Sequence, residues 1–146
     1  MAKRTKIIFV VNPISGTSDK KHIIDLIPKY MNDVCFEWAI RMTEYRGHAA
    51  KLVNEAIEEN ADVVVAVGGD GTVNEVARSL IHTNVALGII PCGSGNGLAR
   101  HLCIPMNADG ALRVLSECHI EELDYGIIDQ TPFFCTCGVI DIQCGK

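Results

Sequence analysis

Asp62-Val63-Val64-Val65-Ala66-Val67-Gly68-Gly69-Asp70-Gly71-Thr72-Val73-Asn74-Glu75-Val76 sets an apolar run, a glycine turn and the opening of a helical pattern in direct succession. The run from Val63 to Val67 suits a strand covered on both faces, as strands of a parallel sheet are. Val73, Val76, Ala77, Leu80 and Ile81 then recur at helical spacing. In the turn between them, glycines let the backbone approach a ligand closely or adopt positive φ, and the helix that follows aims free N–H groups at an anion. Asp70 adds a carboxylate, which would hinder plain anion storage. Beside bound phosphates it has a use, either in holding magnesium or in accepting a proton from an attacking hydroxyl. A tight turn whose Asp caps the helix is the plainer alternative.

Outward from this stretch, strands and helices alternate. Lys6 to Val11 is another buried-strand run, closed by the turn Asn12-Pro13-Ile14-Ser15-Gly16. Ser18 is placed to cap a helix carrying Ile23, Leu26, Ile27 and Tyr30, with Pro28 expected to shorten or kink it. Phe36, Trp38 and Ile40 alternate with Glu37, Ala39 and Arg41, the pattern of a strand near a sheet edge. After a loop from Met42 to Gly47, Ala49, Leu52, Val53, Ala56 and Ile57 form one apolar helix face opposite Glu55, Glu58 and Glu59. Val85 to Ile90 reads as a fourth strand, followed by a second glycine turn and helices over 98–101 and 108–115. Such alternation predicts right-handed crossovers around a mostly parallel sheet, a three-layer α/β/α sandwich. Its ligand site is expected outside the carboxyl ends of the strands, the edge where all four distinctive loops fall. The pattern then changes: His119 to Ile128 and Pro132 to Val139 read as an antiparallel hairpin around Asp129-Gln130.

Composition narrows the class. A length of 146 residues suits one compact core, and a net charge of −5 argues against the basic surface that nucleic acid demands. The apolar runs fall far short of the roughly 20 residues of a transmembrane helix, and the N-terminal one is too short for a secretory signal, so a cytoplasmic location is expected. The seven cysteines include no C-x-x-C pair and read as reduced thiols. His48, His82 and His101 lack ligand spacing and read as surface or loop residues, so no metal-ligating set is assigned. Lys20 and Lys21, with Lys3 and Arg4, read as a solvated face.

The second glycine turn, Gly93-Ser94-Gly95-Asn96-Gly97, repeats the logic of the first, with a hydroxyl and an amide suited to phosphate or ribose oxygens. Neither turn fits the dinucleotide fingerprint, because Asn74 and Leu98 stand where a third glycine would be, and no P-loop G-K-[ST] step occurs. Taken singly, Asn12-Pro13 is a common turn start, Thr43 a cap for the helix after it and Glu75 an ordinary first-turn acid. In order, however, Asn12-Pro13-x-Ser15-Gly16, Thr43 with Gly47 and Ala49, Gly68-Gly69-Asp70-Gly71-Thr72-Val73-Asn74-Glu75-Val76, and Pro91-x-Gly93-Ser94-Gly95-Asn96 before Ala99-Arg100 resemble the nucleotide loops of the diacylglycerol kinase catalytic domain family. The likeness runs from about Lys6 to Gly138, and the fourth loop is more similar to the sphingosine-type branch.

The resemblance implies an ATP-dependent kinase of lipid hydroxyls, diacylglycerol or a related lipid, using ATP and Mg2+ at the membrane surface and serving lipid metabolism. It implies ATP contacts by Asn12, Pro13, Ser15, Gly16, Thr43, Gly68, Gly69, Asp70, Gly71, Thr72, Glu75, Gly93, Ser94, Gly95 and Asn96, with Asp70 closest to the transferred phosphate. It also implies an ATP-binding domain over residues 1–117 and, over 118–146, the first hairpin of an incomplete lipid-binding domain. The family's Gly-Phe-Asp is expected soon after Gly138, where Val139-Ile140-Asp141 stands instead. The chain is therefore expected to end before the lipid-binding domain is complete and to turn over poorly alone. Its segment 119–139 would then be disordered, misplaced or buried in a homodimer. An NAD kinase, which shares the G-G-D-G-T turn, and a nucleotide-binding remnant without catalysis are the alternatives.

Overall fold

The computed structural model describes residues 2–14 and 19–134. Among them, β1 (Thr5–Val11), β2 (Phe36–Met42), β3 (Val63–Gly68) and β4 (Ala86–Pro91) form one four-stranded sheet in the order β2-β1-β3-β4. Every neighbouring pair is parallel, with Val11 level with both Met42 and Val67. All four strands therefore end at the same edge. The helices are α1 (Lys20–Tyr30), α2 (His48–Glu58), α3 (Asp70–Leu80), α4 (Gly97–His101) and α5 (Ala108–Ser116).

The alternation of side chains along the strands sorts the core into two halves. Ile8, Val10, Val64 and Ala66 face α2, α3 and α4, meeting Leu52, Val53, Val76 and Leu98. Ile7, Phe9, Val11, Val63, Val65 and Val67 face the other way, against Ile23 and Ile27 of α1 and Ala111 and Leu112 of α5. This is the three-layer α/β/α sandwich the sequence predicts. The edge strand β2 shows the expected mixed burial, with Phe36 inside and Glu37 and Ala39 outside. Trp38 meets Phe9 edge to face at 6.4 Å between ring centres.

Local readings are refined at several points. The cap of α1 is Asp19, whose side chain accepts the Lys21 N–H; Ser18 lies outside the described residues. The helix runs through Pro28 and ends two residues later, because a proline in the last turn forfeits only one backbone hydrogen bond. Thr43 does not cap α2; that place belongs to Gly47, at φ 89°. Lys20 is buried at the first position of α1, so only Lys21 of that pair is solvated.

Only Gly126–Ile128 (β5) and Thr131–Phe133 (β6) pair as strands in the hairpin, so the strand expected from His119 shrinks to three residues. Asp129 and Gln130 both take positive φ, 48° and 66°, as the tight two-residue hairpin turn requires. The part of this segment among the described residues, 119–134, packs against the same domain. Leu123 and Phe134 pack against the core beside α3, and Arg78 Nε donates to the Pro132 carbonyl at 3.2 Å. The remainder of the predicted second strand, to Val139, lies outside the described residues.

Candidate functional site

The parallel ladders run one step past the strands and so fix the loops. Asn12 N–H donates to Val67 O at 3.1 Å, Thr43 N–H to Val11 O at 2.9 Å, and Cys92 N–H to Gly68 O at 2.9 Å. These bonds hold the loop after each strand against its neighbour. The result is a cleft of about 350 Å³ at the carboxyl edge, between the loops after β1, β2 and β3. Of the residues singled out in the sequence, Asn12, Pro13, Thr43, Gly69, Gly71, Thr72 and Glu75 line it. Ser15 and Gly16 lie outside the described residues.

Hydrogen bonds lace the cleft walls together. Asn12 donates through Nδ2 to Thr72 Oγ1 at 3.3 Å, and its Oδ1 accepts the Ile14 N–H at 3.1 Å. Glu75 lies in the second turn of α3 rather than its first, and its Oε1 accepts the Gly47 N–H at 3.3 Å, tying α3 to the start of α2. Glu44, Tyr45 and Arg46 also line the cleft. The sequence reading passed over these three, although a cation and an aromatic between Thr43 and Gly47 at the expected edge were the signal. His48 is no plain surface residue either. Its Nδ1 accepts the Glu44 N–H at 3.0 Å, and its ring stacks on Tyr45 at 4.4 Å between centres, 10° from parallel.

The second glycine turn, with Gly93, Ser94, Gly95 and Asn96, lies beside the first and does not line this cleft. Asp70 joins the two. It is the first residue of α3, behind the N-cap Gly69, yet its carboxylate serves another helix: Oδ2 accepts the Asn96 N–H at 3.0 Å and Oδ1 the Gly97 N–H at 2.8 Å. Asn96, the N-cap of α4, sits at φ 54° with no cap bond from its own side chain, so Asp70 supplies that cap from across the gap. The Asn96 side chain instead accepts the Gly93 N–H at 2.9 Å, closing its own turn. Arg100 Nε donates to Gly95 O at 2.7 Å.

Glycine is required here for close approach rather than for left-handed backbone; among the described glycines only Gly47 has positive φ. A Cβ on Gly93 would sit 3.0 Å from the Gly69 Cα, and one on Gly95 would sit 2.6 Å from Asp70 Oδ2. Below the second turn, burial pushes the Cys92 thiol above its ordinary pKa, with the Lys20 charge opposing in part. Cys92 is thus a neutral packing residue.

A parallel α/β sheet with paired glycine bends at its carboxyl edge defines the class, and known proteins give the family. The sequence profile of the diacylglycerol kinase catalytic domain matches residues 6–128. The chain is 37% identical over 136 residues to a diacylglycerol kinase of Staphylococcus aureus strain bovine RF122 / ET3-1, covering 91% of this chain and 42% of that protein. A crystal structure of a diacylglycerol kinase from Bacillus anthracis str. Sterne matches with a TM-score of 0.75 at 27% identity, over 91% of this chain and 49% of that one. A candidate diacylglycerol kinase from the same strain matches over the same shares with a TM-score of 0.80 at 28% identity. The chain belongs to the diacylglycerol kinase catalytic domain family. It spans less than half the length of these relatives. No helix among the described residues is long and apolar enough to cross a membrane.

Proposed function

We propose that this chain is the nucleotide-binding half of a kinase that transfers the terminal phosphoryl group of ATP to a lipid hydroxyl, with diacylglycerol or a related lipid as acceptor. One observation carries the reading. Loops from three neighbouring strands, far apart in sequence, converge on a single cleft through Asn12, Thr43, Gly69, Thr72 and Glu75. At about 350 Å³ that cleft is within the range of small-molecule and cofactor sites. The uncapped start of α3 adds N–H groups that favour an anion there. In this reading residues 1–117 hold the nucleotide, and 118–146 open the part that receives the lipid.

The chemistry of the donor set fits a magnesium nucleotide. Mg2+ prefers carboxylate, hydroxyl and phosphate oxygens; Glu75 and Thr72 offer the first two on the cleft wall, Asp70 sits between Gly69 and Gly71 without lining the cleft, and the ion when bound would neutralise charge on the phosphate chain. The charged residues lining the cleft are Glu44, Arg46 and Glu75, so a polyphosphate meets more acid than base unless a cation accompanies it. A carboxylate has about four lone-pair sites, and the two bonds from Asn96 and Gly97 leave Asp70 further capacity to accept. Asp70 can therefore orient the second turn, Gly93 to Gly97, and still accept a further bond beside the cleft.

Titration of the chain with Mg-ATP, followed by amide NMR, is expected to move residues 68–72 and 93–97 at millimolar ligand. Unmoved signals there would overturn the assignment. Incubation with labelled ATP and either diacylglycerol vesicles or NAD separates the acceptors: slow labelling of the lipid is expected, and labelling of NAD alone would transfer the chain's activity to the other class.

A further inference from the structure

We infer that Tyr45, held flat against His48, is the platform on which the purine base of the nucleotide stacks, an inference that rests on the nucleotide reading above. Tyr45 lines the same cleft as Gly69 and Thr72, on the opposite wall formed by the loop after β2. One face of its ring is taken by His48 at 4.4 Å and 10°, while the residue keeps 58% of its surface exposed. An exposed tyrosine in a loop usually rotates freely. This one is held by a partner that is itself anchored, since His48 Nδ1 accepts the Glu44 N–H and His48 opens α2. Part of the ordering that a stacked ligand would demand is therefore already present in the fold.

The rest of the cleft leaves the base without another aromatic surface: Tyr45 is its one aromatic lining residue among those described. Phosphates placed at the start of α3 leave the other end of a nucleotide to reach the wall where the open face of Tyr45 lies. Pro13 and Ile14, the latter 91% exposed, line the same cleft and add apolar surface near the base. Stacking of this kind holds any base by its π-face, so the platform contributes affinity for nucleotides over bare polyphosphate rather than a choice among bases.

The test compares Mg-ATP with Mg-tripolyphosphate, which has the phosphates but no base, by calorimetry on the 146-residue chain. Tyr45→Ala is expected to weaken Mg-ATP about tenfold, as loss of one base–aromatic stack does, and to leave tripolyphosphate unchanged. Tyr45→Phe, which keeps the ring, is expected to bind as the parent does. A triphosphate carrying 2-aminopurine should be quenched by the parent chain and by Tyr45→Phe but not by Tyr45→Ala. If the parent binds Mg-ATP and Tyr45→Ala binds it equally well, the platform is wrong while the nucleotide site stands. Equal weakening of both ligands would make Tyr45 a structural residue and also overturn the inference. If the parent binds neither ligand, the nucleotide reading itself falls and the platform with it.

Discussion

At the scale of single residues, Asp70 shows how a functional-looking side chain carries structure as well. Its two oxygens bridge the glycine bends by accepting the Asn96 and Gly97 N–H groups. Asp70→Asn keeps one acceptor but turns an NH2 group toward the other N–H. It should cost about 1 kcal/mol, the net worth of a typical hydrogen bond, and speed amide exchange at residues 96 and 97. Gly95→Ala retains the carboxylate yet puts a methyl 2.6 Å from Oδ2, and should speed the same two amides. Exchange rates unchanged in both variants would mean that the bridge is not held in solution. The sequence marked Asp70, Gly93, Gly95 and Asn96 as belonging together because phosphate chemistry favours such residues beside one another. It could not show that the carboxylate reaches across 26 residues of chain to cap α4, since that depends on two loops being level in the folded sheet. The contact between Tyr45 and His48 went unread for a related reason: a stack between neighbouring side chains leaves no periodic trace.

At the scale of elements, hydrophobic periodicity revealed nearly every strand and helix, because strands buried on both faces and one-sided helices write their environment into composition. What it could not reveal is how near two elements come. Gly88, in the middle of β4, illustrates this. A Cβ there would meet Val65 Cγ2 at 2.9 Å and Leu115 Cδ1 at 3.0 Å, so the bare backbone lets α5 settle onto the sheet. A glycine within a strand signals such close approach. Gly88→Ala should destabilise the domain by about 1–3 kcal/mol, the usual cost of overpacking, measured as a lower urea midpoint with an unchanged slope. A midpoint equal to that of the parent would show that α5 can shift to make room. The hairpin was the least legible element. Its turn was found at the right residues, but its strand lengths depend on pairing partners rather than on local pattern.

At the scale of the whole molecule, acid sensitivity gathers where the second crossover returns to the sheet. Asp62 Oδ2 accepts the Lys6 N–H at 2.8 Å and Oδ1 the Lys3 Nζ at 2.9 Å, so its carboxyl is held below its ordinary pKa, first by the backbone bond and then by Lys3, against partial desolvation. A folded-state value below the unfolded one means that the stabilisation is full above the unfolded pKa of about 4 and is lost as pH falls through the folded value. Glu59, beside Arg41, and Asp109, beside Tyr30, shift the same way with side chains about half exposed to solvent, and add little. Urea midpoints measured between about pH 5 and pH 2 should fall with acid, and Asp62→Asn should flatten that fall. Parallel curves for parent and variant would place the acid sensitivity elsewhere.

The level register of the strands has one more consequence. With Val11 abreast of Met42 on one side and Val67 on the other, the openings that follow β2 and β3 stand two strand widths apart, roughly 10 Å at the usual interstrand spacing. The sheet is in effect a ruler. If the proposed nucleotide site is right, a free orthophosphate is too short to touch both marks at once whereas an extended nucleotide is long enough, so molecular length would act as a filter before any side chain chooses.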